Sequence, residues 1–158
     1  MRARNIPALA ASFVMAAVLA QGSGEAAKAN EPVFVPSGDL KWTDLDPKGA
    51  PGVQIADVWG NHTKGAYGAF IKFPAGFTTP LHTHTNAVKI VIVSGTSIQV
   101  PEGKPEVRLG PGSYLNQPGD GYRHTTSCDS ASECVFFAQS TGKFDLKVVG
   151  AAKAPAKK

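Results

Sequence analysis

The chain has 158 residues, with 16 Lys and Arg against 12 Asp and Glu, 42% hydrophobic residues and only two cysteines. That size supports one folded domain around one core and leaves no room for a second of ordinary size. The pI of about 9.1 arises mostly at the two ends: without residues 1–29 the count is 13 basic against 11 acidic, and Lys153, Lys157 and Lys158 crowd the end of the chain. The body between is close to neutral, so the charge gives no basis for a nucleic-acid partner.

In chain order, Arg2 and Arg4 precede an uncharged apolar run, IPALAASFVMAAVLA at residues 6–20. The run is shorter than the ~20 residues of a membrane span, and Ala27-Lys28-Ala29 fits the small-x-small cleavage rule. Residues 1–29 therefore read as a signal peptide. Export to the periplasm or the medium is expected, with no stable membrane insertion after cleavage; an uncleaved anchor is the alternative. Residues 30–149 read as the single domain and residues 150–158 as a disordered basic tail.

Nothing in the domain sustains a helical period. Short runs rich in Val, Ile, Phe and Tyr predict strands at 40–45, 53–59, 67–73, 88–93, 97–100, 106–109, 113–117, 122–127, 134–140 and 144–149. Between them lie DPKGAPG, GNHTKG, PAG, SGT, PEGKP, GPG, PGDG and TGK, all with turn chemistry. Ten short strands at near-regular spacing point to an all-β antiparallel sandwich or barrel. Cys128 and Cys134 flank DSASE; a local disulfide is expected in an oxidising compartment, and a pair of metal-binding thiols is the alternative.

Four histidines follow residue 29: His62, His82, His84 and His124. Residues i and i+2 of a strand share a face, so His82 and His84 can aim at one point. His124, after a Gly-rich turn, supplies a third ring. Three converging imidazoles are hard to explain as packing, because each brings polar atoms that need partners. Imidazole suits Zn, Cu, Fe and Ni alike. His62, in GNHTKG, reads as a surface residue, and Phe70, Phe73, Phe77, Phe136 and Phe137 read as core.

The stretch GFTTPLHTHTNAVKIVIVSG, from Gly76 to Gly95, resembles the first motif of the cupin superfamily, G-x5-H-x-H-x3,4-E-x6-G. GSYLNQPGDGYRH, from Gly112 to His124, resembles the second, G-x5-P-x-G-x2-H-x3-N, with one extra residue between Pro118 and Gly121 and with Cys128 in place of the closing Asn. The resemblance covers residues 76–128. It implies a cupin-type β-barrel (a jelly roll, or double-stranded β-helix) with His82, His84 and His124 as metal ligands on its inner wall. It also implies an inward Glu, and here the chain departs: Val88 occupies that slot, or Lys89 in the longer spacing variant. If one strand runs unbroken through 82–88, then Val88 faces inward and Lys89 outward.

Without the carboxylate, three neutral imidazoles can still hold one divalent transition metal ion, with Fe, Zn, Cu or Ni favoured over Mn. Gln117 and Tyr114 are candidates for lining the cavity mouth or for hydrogen-bonding behind the ligands, though ordinary strand positions explain them equally well. Tyr122 shares the parity of His124 and is a further candidate for lining the cavity, while Arg123 should point the other way. The resulting expectation is an exported cupin that binds or oxidatively transforms a small organic molecule, dioxygenase-like if the ion is iron. The alternative is a non-catalytic periplasmic protein that captures or senses a metal or small ligand. The resemblance leaves room for a homodimer paired through an edge strand or a sheet face.

Overall fold

The computed structural model describes residues 31–150. The expected signal peptide, residues 1–29, and residues 151–158 of the expected tail lie outside them. Eleven strands follow a short 3-10 turn at Ser37–Asp39: β1 (Thr43–Asp46), β2 (Ala50–Gly60), β3 (Tyr67–Phe73), β4 (His82–Thr83), β5 (Val88–Ser94), β6 (Ser97–Pro101), β7 (Val107–Leu109), β8 (Tyr114–Gln117), β9 (His124–Cys128), β10 (Cys134–Ser140) and β11 (Lys147–Val148). All belong to one compact unit that begins at Phe34.

The strands form two antiparallel sheets, ordered β1-β2-β3-β10-β5-β8 and β11-β4-β9-β6-β7. From β3 onward the chain passes repeatedly from one sheet to the other, the winding of a jelly roll. Among the described residues no strand pairing joins the two sheets into a closed ring. The core lies between the sheets, and period-2 patterning puts it there. In β5, VKIVIVS, Val88, Ile90 and Ile92 are buried while Lys89, Val91 and Val93 are exposed. Each such buried aliphatic side chain contributes roughly 1.5–3 kcal/mol.

All ten expected strands are present, with ends shifted by no more than three residues. The additional strand is β4, two residues long, between Pro80 and a turn. Its shortness corrects one expectation. No unbroken strand runs through residues 82–88; the chain leaves one sheet after Thr83 and joins the other at Val88. Val88 is nonetheless buried and Lys89 exposed, because β5 sets its own parity.

Cys128 and Cys134 form a disulfide. It ties the end of β9, in one sheet, to the start of β10, in the other. Gly95, which closes the first motif, has φ +74, and a Cβ there would run into the Glu133 carbonyl. The turn leading into β6 therefore requires glycine.

Candidate metal centre

β4 and β9 are neighbours, and His82 stands directly opposite His124. His84 follows β4 immediately. The ring centroids are 4.2 Å apart for His82–His124, 4.9 Å for His82–His84 and 5.5 Å for His84–His124. Each ring can offer one nitrogen within 4.8 Å of the others, and all three residues are buried. Sequence reasoning anticipated this convergence.

The rings are fixed by their outer nitrogens. His82 Nδ1–H donates to the Pro80 carbonyl at 2.8 Å. His84 Nδ1–H donates to the Asp145 carbonyl, and His124 Nδ1–H to the Tyr122 carbonyl at 3.2 Å. A carbonyl can only accept, so each neutral ring keeps its single proton on Nδ1 and turns an Nε2 lone pair inward. The Nε2 atoms of His82 and His84 then face each other at 3.2 Å with no proton between them. Two nitrogens bound at ~2.1 Å to one ion, at an angle between octahedral and tetrahedral, stand about 3.0–3.4 Å apart. The donor set thus fits a divalent metal ion, with a backbone carbonyl behind each imidazole of the kind that orients metal-binding histidines.

Burial pushes the His82 and His124 imidazoles down to about 4, and that of His84 down as well. All three are neutral at pH 7, the form in which imidazole binds metals. The extra residue in PGDG does not displace His124. Instead the Asp120 N–H donates to the His84 carbonyl at 3.0 Å, and Gly119 lies so close to the backbone of Thr85 and Asn86 that a Cβ would collide with it. The insertion ties the second motif to the first.

Of the other candidate residues, Gln117 is buried, lines the cavity and sets its amide against both ring nitrogens of His124. Tyr122 is not among the cavity's lining residues; it stacks on the His124 ring instead, with centroids 5.0 Å apart. Tyr114 departs from expectation: it is 60% exposed, because the parity that turns Leu115 and Gln117 inward turns Tyr114 outward. Arg123 points away from the cavity and pairs with Glu102 at 3.0 Å. His62 lies outside the cluster but is no free surface residue; it is half-buried, with Nδ1 2.9 Å from the Asp57 carboxylate. Phe73, Phe77 and Phe136 pack in the core, whereas Phe70 and Phe137 pair on the outer face of the larger sheet.

The His82 and His84 rings line an open-mouthed cavity of about 70 Å³, with His124 just behind them. Its two walls differ. The larger sheet contributes Val53, Ile71, Ile90 and Phe136, while the smaller contributes Ser97, Gln99 and Thr126, linked by hydrogen bonds of 3.0 and 3.1 Å. Two contributors escaped sequence reasoning. Asp145 holds His84 through its carbonyl and Thr85 through its carboxylate, a contact across sixty residues that no spacing announces. Tyr67 is fully buried on the cavity wall, and its hydroxyl has no hydrogen-bond partner. Burial, with Asp57 and Asp145 nearby, pushes that hydroxyl up to about 12.

The fold is that of solved cupins, which share the architecture. The family model described as a domain of unknown function, DUF4437, matches residues 14–147, and the chain belongs to that family. Among solved structures, the chain is similar to the polyketide cyclase RemF from Streptomyces resistomycificus, with 17% identity over 79% of this chain and 90% of that one and a TM-score of 0.65. It is similar to KdgF from Halomonas sp., with 23% identity over 70% and 94% and a TM-score of 0.55. An RmlC-like cupin from Shewanella frigidimarina NCIMB 400 gives 17% over 70% and 92%, with a TM-score of 0.54. Curated proteins gave no match.

Proposed function

We propose that this protein is an exported cupin in which His82, His84 and His124 hold one divalent transition-metal ion and the cavity receives a small organic molecule, which it binds or oxidatively transforms. The observation that carries this reading is the pair of Nε2 lone pairs of His82 and His84, 3.2 Å apart with both ring protons committed to backbone carbonyls. Nitrogen donors without a carboxylate favour Zn, Cu, Ni or Fe(II) over Mn. A bound ion would supply Lewis-acid polarisation of a substrate oxygen or, as iron, dioxygen chemistry.

The chain's own residues bind and orient. The apolar wall takes the hydrocarbon part of the molecule, and the Tyr67 hydroxyl and the Gln99 network take its polar atoms. Among the described residues, no carboxylate, lysine, arginine or cysteine lines the cavity. No side chain beside the imidazoles is therefore placed as a general base or nucleophile. That lining also supports a second reading, non-catalytic capture of a metal or small ligand.

Metal content after expression through the export pathway, without chelator or affinity-tag metal, tests both readings. Stoichiometric iron with oxygen uptake in a substrate screen supports the oxidative enzyme. Tight zinc or copper without turnover supports the binder. A chain that takes up none of these ions, its melting temperature unchanged by any of them, refutes both. His124→Ala should abolish metal uptake and His62→Ala should leave it intact.

Export rests on the charged and apolar pattern of residues 1–29 and on a disulfide of the kind that persists in oxidising compartments. No helix among the described residues is long and apolar enough to cross a membrane. A mature N-terminus at position 30 in a periplasmic fraction would support it. A homodimer would use the outer face of the larger sheet, where Phe70, Phe137, Val91 and Tyr114 stand in one row across four strands. Light scattering of Val91→Lys against the unaltered chain tests this pairing.

A further inference from the structure

Val88 occupies the position where the cupin pattern has its acidic residue, and it offers no donor atom. Across the ladder between β5 and β8, its direct partner is Gln117. Directly opposed residues on one sheet face have Cβ atoms about 4.5–5.5 Å apart, so a long side chain at 117 reaches the region that a glutamate at 88 would serve. Gln117 is 3% exposed and lines the same cavity as His82 and His84. Its amide lies against the inward Nε2 of His124 and 3.4 Å from Nδ1.

In that orientation the amide NH₂ donates to the lone pair with which His124 would bind a metal. A half-turn of the amide exchanges nitrogen for oxygen at nearly the same place. With an ion on His124 Nε2, an inward NH₂ would be repelled and the carbonyl oxygen attracted. Taking the proposed metal site as given, we propose that Gln117 Oε1 is its fourth protein ligand, supplied from the strand beside the one that carries the family's acid.

One consequence follows for the occupant of the cavity. Three imidazoles and one amide are all neutral, so the ion's charge of +2 is uncompensated by its ligands. No carboxylate lines the cavity among the described residues, and the Asp145 carboxylate is engaged by Thr85. An uncompensated buried charge is costly. The site therefore selects a small organic anion, with a carboxylate or enolate oxygen for the ion and an apolar remainder for the opposite wall.

The test is titration with Co²⁺, followed by calorimetry and by visible absorption, which reports the number and kind of ligands. Gln117→Leu should weaken Co²⁺ binding at least about tenfold and change the absorption bands. The double variant Val88→Glu with Gln117→Leu should restore binding, because it returns an oxygen donor to the same face from the opposite strand. Acetate should shift the Co²⁺ bands of the unaltered protein and shift those of the double variant much less. Circular dichroism of the metal-free variants separates ligand loss from misfolding, and the double variant gives a second reading if Gln117→Leu alone folds poorly. If the unaltered protein binds Co²⁺ and Gln117→Leu binds it equally well with the same bands, Gln117 is no ligand although the metal site stands. If the unaltered protein binds no Co²⁺, both the ligand and the metal site are overturned.

Discussion

His84 donates its Nδ1–H to the backbone carbonyl of Asp145, 61 positions further along the chain. The orientation of one candidate ligand thus depends on the segment that leads into β11. The Asp145 carboxylate strengthens the connection by accepting from the Thr85 N–H at 2.8 Å and from the Thr85 hydroxyl. Burial alone would raise this carboxyl, but the two Thr85 bonds, with Lys147 and His84 beyond them, hold it below the usual range. The segment also brings Phe144 to 5.7 Å from the His84 ring.

Asp145→Ala should therefore act at a distance from any ion. It releases Thr85, loosens the carbonyl that fixes the His84 tautomer, and should weaken metal binding by about 10–100-fold, as loss of such supporting contacts does. Far-UV circular dichroism should be unchanged, since the carboxylate bonds involve only Thr85 and Lys147 at the surface. Calorimetric titration with Zn²⁺ checks the effect; an affinity equal to that of the unaltered chain would show that Asp145 does not position His84.

The convergence of His82, His84 and His124 was legible because it follows from strand parity and a two-motif pattern. Turn chemistry likewise located every strand except β4. What was not legible depends on contacts between distant segments. Tyr67 reaches the site through the folding of one sheet onto the other and Asp145 through the pairing of β11 with β4, and neither stands near any of those three histidines in sequence. Tyr114 was misplaced because its strand could be read with either parity, and only its pairing with Val91 sets the outward face. His62 looked like a turn residue at the surface, whereas its partner, Asp57, lies in the preceding strand.

The metal-free protein should lose stability as pH falls from neutrality towards 4. In the unfolded chain an imidazole takes up its proton near pH 6.5. In the folded chain burial holds His82 and His124 neutral down to about pH 4. Between those values the unfolded state binds more protons, so stability rises with pH across the window and is fully present above it. One such ring accounts for a drop of order 3 kcal/mol at most, and the contact between the two rings keeps the pair from being simply additive. Thermal melts in chelator at pH 7.5, 6.0 and 5.0 should show a progressive fall, at values where most carboxylates remain ionised. Saturating Zn²⁺ should move the fall to lower pH. A flat profile would mean that the rings are hydrated rather than buried.

Replacing both Cys128 and Cys134 by serine should destabilise the fold without removing any metal donor. Closing so short a loop contributes roughly 2 kcal/mol in the chain-entropy model, which for a domain of this size corresponds to a melting temperature lower by roughly 5–10 °C. Because the bond joins β9 to β10, the loss should also loosen the strand that presents His124. Hydrogen exchange should quicken most around residues 126–136, with Zn²⁺ affinity reduced far less than by His124→Ala. An unchanged melting temperature, or one that ignores reductant in the unaltered chain, would show that the link contributes nothing to the folded state.

Tyr67 gives the sharpest separation between stability and function. Its hydroxyl is buried without a partner, an arrangement that costs about 1–3 kcal/mol relative to a satisfied or absent group. Tyr67→Phe removes the hydroxyl and leaves the ring in place on the cavity wall, so the melting temperature should hold or rise. If the hydroxyl donates to a polar atom of the bound molecule, the same change should weaken ligand binding by about tenfold, the worth of one hydrogen bond in a dry site. Its ionisation, held near pH 12 by burial, keeps it a donor throughout the physiological range. Parallel melting curves and ligand titrations on the metal-loaded protein decide the matter. A variant that is less stable and binds equally well would show that the hydroxyl serves the fold and not the ligand.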